Sequence, residues 1–198
     1  MIPASLSLMT VCGLEELELH GASGVTHVLS ILDPGWPEPE AFRAYDAHHR
    51  TTLHFHDIVE PRADLLLPEI GHVEAVLGFG ESLARDGAGR EGGHLLVHCH
   101  MGVSRSTAAL ATLIAQASPE ADEDAIFRHL EAIRPQVWPN SVMVAYADTL
   151  LGRDGRLTEA LRRLYGRRLV GRPDLAEWMN RHGRGREVAM AIPPAAEA

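Results

Sequence analysis

Apolar positions along the chain fall into short β-branched runs that alternate with stretches of helical spacing. Residues 6–11 (LSLMTV) read as a first strand, and 26–32 (THVLSIL) as a second. Between them, 14–24 (LEELELHGASG) reads as a short helix that ends on glycine, the residue that turns a helix off most easily. Residues 33–40 (DPGWPEPE) must be a loop, because neither a ladder nor a helix tolerates so many missing N–H donors. A weak helical turn is expected over 41–50 (AFRAYDAHHR), a third strand over 52–58 (TLHFHDI) and an exposed loop over 59–64 (VEPRAD).

From Pro68 to Arg85 the apolar residues Ile70, Val73, Val76, Leu77, Leu83 and Ala84 recur at helical spacing. A glycine-rich turn over 86–93 (DGAGREGG) leads into 94–99 (HLLVHC), a run of the kind buried on both faces of a parallel sheet. Residues 104–116 follow as a helix rich in Ala and Leu. Ser118-Pro119-Glu120 reads as a helix start with Pro in the first turn, and Ile126, Leu130 and Ile133 as that helix's buried stripe. Pro135 stops it, and Asn140 is placed to cap a further helix through Val142, Tyr146 and Leu150. Strands alternating with helices predict an α/β fold, a central, mostly parallel sheet flanked by helices.

Beyond Gly152 the pattern changes to Arg-rich helix of poor periodicity, over 157–168 and 173–182, and the last dozen residues read as frayed. This divides the chain into residues 1–152, the α/β body, and 153–198, a helical extension. Charge divides it at the same place. Residues 1–150 carry 8 Arg against 21 acids, and the remainder carries 10 Arg against 6, so a net charge of −9 conceals a basic tail. An acidic body is a poor binder of nucleic acid. The tail could meet an anionic partner, pack on the chain's own acidic body, or support a homodimer.

Hydrophobic residues make up 45% of the chain, enough for a core and too many for disorder. No apolar run approaches the length of a membrane span. The N-terminus lacks the basic start of a secretion signal, and Cys12 and Cys99 are far apart, which together point to reduced thiols in a cytoplasm.

The chemistry gathers at residues 98–106, HCHMGVSRS. A strand ending at His98, a tight turn and a helix starting near Ser104 make a cradle at a helix N-terminus. There, unpaired N–H groups and the helix dipole favour an anion. Gly102 permits the backbone angles of such a nest, built from His100, Met101, Gly102, Val103 and Ser104. Arg105 can clamp two phosphate oxygens with its fork. The same surroundings should depress the Cys99 pKa below about 8.5 and leave a nucleophilic thiolate. Ser106 adds a hydroxyl near the sulfur.

His98-Cys99-x5-Arg105-Ser106 resembles the signature of the cysteine-dependent protein tyrosine phosphatases. HCHMGVSRS is most similar to the dual-specificity branch, in its bacterial type. Residues 134–140 (RPQVWPN) resemble the Arg-Pro-x-x-x-Pro-Asn segment that follows the signature there, and 26–32 resemble an early strand of the family. The resemblance spans roughly residues 6–151. It implies hydrolysis of phosphomonoesters through a cysteinyl-phosphate, without metal or other cofactor. The implied substrates are proteins carrying phosphotyrosine, with phosphoserine and phosphothreonine also open. A small phosphomonoester such as an inositol phosphate or nucleotide is the alternative, as is a silent phosphate-binding module. The resemblance also implies that Asp57 is the general acid, because Asp64-Leu65 matches the acidic-leucine pair that follows it in the family. Asp64 stands in reserve and Glu60 third. His98 and Asn140 are implied as supports of the loop.

Some features stay open. His54-x-His56 and His98-x-His100 could each chelate a metal, since alternate residues of a strand share a face; loop or surface histidines are the plainer reading, with His100 pointing to solvent. Cys12 is either core or a partner that protects Cys99 by disulfide formation. Trp36 and Trp178 could line a rim, whereas Trp138 reads as packing beneath the cradle.

Overall fold

The computed structural model describes residues 6–86 and 93–194, so the glycine-rich turn expected over 86–93 lies largely outside the described residues. Four parallel strands form one sheet: β1 (Leu6–Cys12), β2 (His27–Leu32), β3 (His49–His54) and β4 (Gly93–His98), in the order β1-β4-β2-β3. The last strand inserts between the first two. Alternation along the strands sorts their side chains to two faces. Leu29, Ile31, Leu95 and Val97 face the main core, and Val28 and Leu96 face a smaller cluster.

The main core is covered by helices α1 (Ile70–Asp86), α2 (Arg105–Ala117), α3 (Glu123–Ile133), α4 (Ser141–Leu150) and α5 (Arg156–Gly171). α2 is buried from Arg105 to Ala115, because it lies between the sheet and the outer helices, and its Ala-rich composition allows that close approach. The smaller cluster is covered by two 3-10 segments, Leu14–His20 and Glu40–Ala44. The first of these is the short helix expected over 14–24, which takes the 3-10 form and ends at His20.

Three boundaries differ from the sequence pattern. The third strand runs His49–His54 rather than 52–58, because it is an edge strand whose length is set by its partner. β2 ends at Leu32, whose carbonyl accepts the last bond from the third strand's side, the N–H of Phe55 (3.0 Å), and the N–H of His56 turns instead to the Leu66 carbonyl (2.9 Å). α3 starts at Glu123, not near Ser118. The Asp122 carboxylate accepts from the Ala125 N–H (3.0 Å) and caps it, which Ser118 does not do. Asn140 caps α4 as expected, through the N–H groups of Val142 and Met143.

The boundary expected at Gly152 does not interrupt the packing. Leu157, Ala160, Leu161, Leu164, Tyr165 and Met179 belong to the same core as the sheet. Arg153 is buried, with one terminal nitrogen on the carbonyls of Ala115 (2.7 Å) and Ser118 (2.9 Å) and the other on Glu123 (3.1 Å). Asp148 of α4 accepts from the N–H groups of Gly155 (2.7 Å) and Thr158 (2.6 Å) and so starts α5. Two further helices follow: α6 (Asp174–Arg181), within the helical stretch expected over 173–182, and α7 (Gly185–Ala189), which runs into the last dozen residues, where fraying was expected. The tail's arginines largely meet the chain's own acids: Arg156 with Glu123, Arg163 with Asp124, and Arg167 with Glu131. Among the described residues no helix is long and apolar enough to cross a membrane.

Candidate active site

Cys99, Arg105, Ser106 and Asp57 gather at the carboxyl edge of the sheet, where parallel strands open a crevice. β1 ends at Cys12, β2 runs out into Asp33, β3 leads to Asp57, and β4 delivers Cys99. Cys99 is buried at the floor of the turn, and its sulfur lies 3.2 Å from the Ser106 Oγ on the first turn of α2.

The turn is held with its carbonyls outward. The His100 carbonyl accepts from the Leu14 N–H (2.9 Å), those of Met101 and Gly102 accept from the Arg134 guanidinium (3.0 Å each), and that of Val103 accepts from the Trp138 N–H (2.9 Å). The Ser104 carbonyl takes the Ala108 N–H (2.9 Å). Each trans peptide sets its carbonyl opposite the next N–H, so the N–H groups of residues 101–105 are left to the inner side, and among the described residues no protein acceptor bonds to them. Such a ring of donors at a helix start is an anion nest.

Arg134 does this while forked onto Glu16 (2.9 and 2.8 Å), whose Oε2 also accepts from the Gly13 N–H (2.6 Å). That fork, before burial is counted against it, holds the Glu16 carboxyl below its usual range. Gly102 is required at its position. Its φ is +66°, and a Cβ there would come 2.4 Å from the Cys12 carbonyl carbon and 2.7 Å from the Gly13 nitrogen.

Arg105 is only 3% exposed. Its Nη1 donates to Asp33 Oδ1 (2.6 Å) and to the Phe55 carbonyl (2.5 Å), while its buried Nε has no protein partner. One corner of the guanidinium is therefore anchored, and an edge is left for an oxyanion. His98 is fully buried, with Nε2 2.6 Å from Ser30 Oγ, and desolvation pushes its pKa down to about 4. It is a neutral support of the strand end. Burial pushes the Cys12 thiol, beneath Gly102, up to about 12, so it sits in the small core as a plain thiol.

Asp57 is brought to the cradle's edge. Its Oδ1 accepts from Ser104 Oγ (2.7 Å), Asn140 Nδ2 (3.0 Å) and Arg184 Nη1 (3.1 Å). Burial alone would raise its pKa. The cations of Arg184 and Arg105, with the Asn140 and Ser104 hydrogen bonds, outweigh that and hold it below the usual carboxylate range. Asp64 and Glu60 are exposed and out in the loop.

His100 does not point freely into solvent, as had been expected. Its Nε2 accepts from the Asp33 N–H (3.2 Å), and its ring meets the edge of Trp36 at 4.4 Å, so it ties the 33–36 loop to the cradle. His56 Nδ1 accepts from the Leu66 N–H (2.9 Å). Among the described residues no group of three or more His, Cys, Asp or Glu could hold a metal.

No protein-family model and no curated protein matches the chain. Solved structures do. Human DUSP28 matches with a TM-score of 0.53 at 19% identity, over 76% of this chain and 96% of its own. The human tyrosine phosphatase-like serine/threonine/tyrosine-interacting protein matches at 0.55 and 18%, over 76% and 95%. Cydia pomonella PTP-2 phosphatase matches at 0.55 and 18%, over 73% and 86%. The chain has the dual-specificity phosphatase fold.

Within that fold the sequence pattern had already marked Cys99, Arg105, Ser106 and Asp57. It missed Asp33, Arg184 and Glu187, and it marked Arg134 only as the first residue of the 134–140 segment, without its hold on the turn's carbonyls. Asp33 had a signal, since it directly follows an apolar parallel strand, where ligands gather in such sheets. Arg184 and Glu187 had none: they sit in a short helix start among other arginines, far along the chain.

Proposed function

We propose that the protein hydrolyses phosphomonoesters, foremost phosphotyrosine in proteins, through a cysteinyl-phosphate formed on Cys99. The observation that carries this reading is the turn at 99–105: carbonyls bonded outward, donors inward, a sulfur at its floor and an Arg105 edge without a protein partner. In-line attack by the Cys99 sulfur breaks the bond from phosphorus to the ester oxygen. The inward N–H groups and Arg105 take the charge on the three equatorial oxygens. Asp57 gives its proton to the departing oxygen. As a carboxylate it then takes a proton from the water that attacks the thiophosphate, and Ser106 eases departure of the sulfur.

In the free protein Asp57 is held ionised by two cations. A phosphate dianion in the cradle offsets the charge of Arg105, one of those two, and so favours the protonated acid when substrate is bound. Support for an aryl substrate comes from the lip. Trp36 and Met101 are exposed there, and Asp33 stands beside them, a mouth suited to a ring and ill suited to a polyphosphorylated headgroup.

The test is phosphate release from phosphotyrosine and phosphothreonine peptides, inositol phosphates and nucleotides, with Cys99→Ser as control. Turnover highest on phosphotyrosine and absent in the variant is expected. Wild-type turnover by Cys99→Ser, or binding of phosphopeptides with no phosphate released, overturns the reading.

A further inference from the structure

The turn between α6 and α7 carries a charged hub that reaches the cradle from the far end of the chain. Arg184 spends all three of its nitrogens: Nη1 on Asp57 Oδ1 (3.1 Å), Nη2 on Ser104 Oγ (3.0 Å) and Glu187 (2.9 Å), and Nε on Glu187 (2.8 Å). Glu187 is completely buried. It also accepts from Trp138 Nε1 (2.7 Å), the Ser141 N–H (2.8 Å) and the Tyr165 hydroxyl (3.1 Å). Trp138 and Tyr165 stack at 4.3 Å, and the Trp138 N–H holds the Val103 carbonyl. The hub is thus wired to the cradle at Val103, Ser104 and Asp57, and its own position is fixed by a fully satisfied carboxylate.

We propose that Arg184 is a positioning residue of the active site, locking the Ser104 hydroxyl and the Asp57 carboxylate together and governing when Asp57 carries its proton. This rests on the reading of Asp57 as the proton donor. A single guanidinium bridging both groups fixes the acid's orientation in a way that a point charge cannot. The charged and titratable groups around Asp57 are Arg184, Glu187 of α7 on the same guanidinium, Arg105 of α2, His100 of the cradle, His56 beside it and Tyr165 of α5. Arg105 gives its charge to the bound phosphate, which leaves Arg184 as the standing cation on Asp57 during reaction.

The experiment is the pH profile of kcat/KM for 4-nitrophenyl phosphate and phenyl phosphate in wild type, Arg184→Met, Arg184→Lys, Asp57→Asn and the Arg184→Met/Asp57→Asn pair. The alkaline limb reports loss of the Asp57 proton. Removing the cation raises the pH at which that proton leaves, so Arg184→Met moves the limb upward by half a pH unit or more. It also costs at least tenfold on phenyl phosphate and less on 4-nitrophenyl phosphate, whose leaving group needs less help. Arg184→Lys keeps the limb near wild type. In the Asp57→Asn background, Arg184→Met changes the rate by less than twofold, because its effect runs through the acid.

Met179→Ala loosens the same C-terminal segment from the core without touching Asp57, and it leaves the limb in place. Should Arg184→Met not fold, Arg184→Gln carries the same expected shift. An unmoved limb with equal losses on both substrates, additive losses in the pair, or the same shift in Met179→Ala overturns the proposal. If wild type releases no phosphate, the functional reading has failed on its own. The proposal is then decided by the Asp57 carboxyl resonance, titrated by NMR with inorganic phosphate present: a higher midpoint in Arg184→Met supports it, and an unchanged one overturns it.

Discussion

Arg105 Nη1 lies 2.6 Å from Asp33 Oδ1, so the end of β2 holds one corner of the guanidinium at the start of α2. The Phe55 carbonyl shares the same nitrogen. Nε, on another side of the planar group, is buried and free of protein acceptors. In the proposed reaction a phosphate is therefore clamped without first breaking the anchor. Asp33 orients the clamp.

That division of labour separates charge from orientation at position 33. Asp33→Asn retains an acceptor for Nη1 and is expected to keep kcat/KM within about threefold. Asp33→Ala leaves the arginine free to turn and is expected to lose at least tenfold, which corresponds to about 1.4 kcal/mol of transition-state stabilisation. Steady-state kinetics on an aryl phosphate decides between the two; equal losses would show that the charge matters and the anchor does not.

Ser106 Oγ stands 3.2 Å from the Cys99 sulfur, and in the proposed reaction it stabilises that sulfur as it departs from phosphorus. A hydrogen bond to a charged group contributes about 1.5–3 kcal/mol. Ser106→Ala should thus slow the second step by roughly ten- to a hundredfold and leave formation of the intermediate nearly intact. Rapid-quench kinetics should show a burst of alcohol release close to one per enzyme. A variant with linear progress from the first turnover would count against this role.

Gly102→Ala is expected to disable the cradle. The left-handed backbone alone costs on the order of 1–3 kcal/mol for a residue with a Cβ. Here that Cβ also meets the β1 terminus at Cys12 and Gly13, which is main chain and cannot step aside. Denaturant unfolding should register the loss of stability, and inorganic phosphate should no longer protect Cys99 from alkylation by iodoacetate. Protection equal to wild type would refute the strained-turn account.

Acid should destabilise the protein before its carboxylates titrate. His98 is neutral when folded, with a pKa pushed down to about 4 against 6.5 unfolded. The unfolded chain therefore gains a proton first as pH falls, and stability is lost progressively from pH 6.5 down to about 4. The span is worth about 3 kcal/mol. Desolvation lowers His20, His72 and His100 in the same direction. His98→Gln, which can keep the bond to Ser30, should flatten the unfolding free energy between pH 6.5 and 4.5; an unchanged slope would move the effect to the other histidines.

Much of this site is local, and local features are legible in a sequence. Cys99 and Arg105 are six residues apart, joined by a strand end, a glycine turn and a helix start, and each of these has its own residue preferences. Asn140 caps its own helix for the same reason. The third strand begins three residues ahead of its apolar pattern because an edge strand takes its length from the neighbour it pairs with, and HRTTLH carries little apolar signal of its own. The break assigned at Gly152 reflects composition. Arginines there meet Glu123, Asp124 and Glu131 of α3 while Leu161, Leu164 and Tyr165 enter the core, and a charge count cannot see such pairing.

By itself the sequence determined the alternation of strands and helices, the turn at 99–105 and the identity of its sulfur and guanidinium. All of these depend on residues within a few positions of one another. Only the tertiary structure decided that Asp33 orients Arg105, that Arg134 turns the loop's carbonyls outward, and that Arg184 meets Asp57 across 127 positions of chain. Such contacts form between side chains that folding brings together after the backbone path is set. They depend on three-dimensional distance and buried charge, and neither quantity is written in the spacing of residues along a chain.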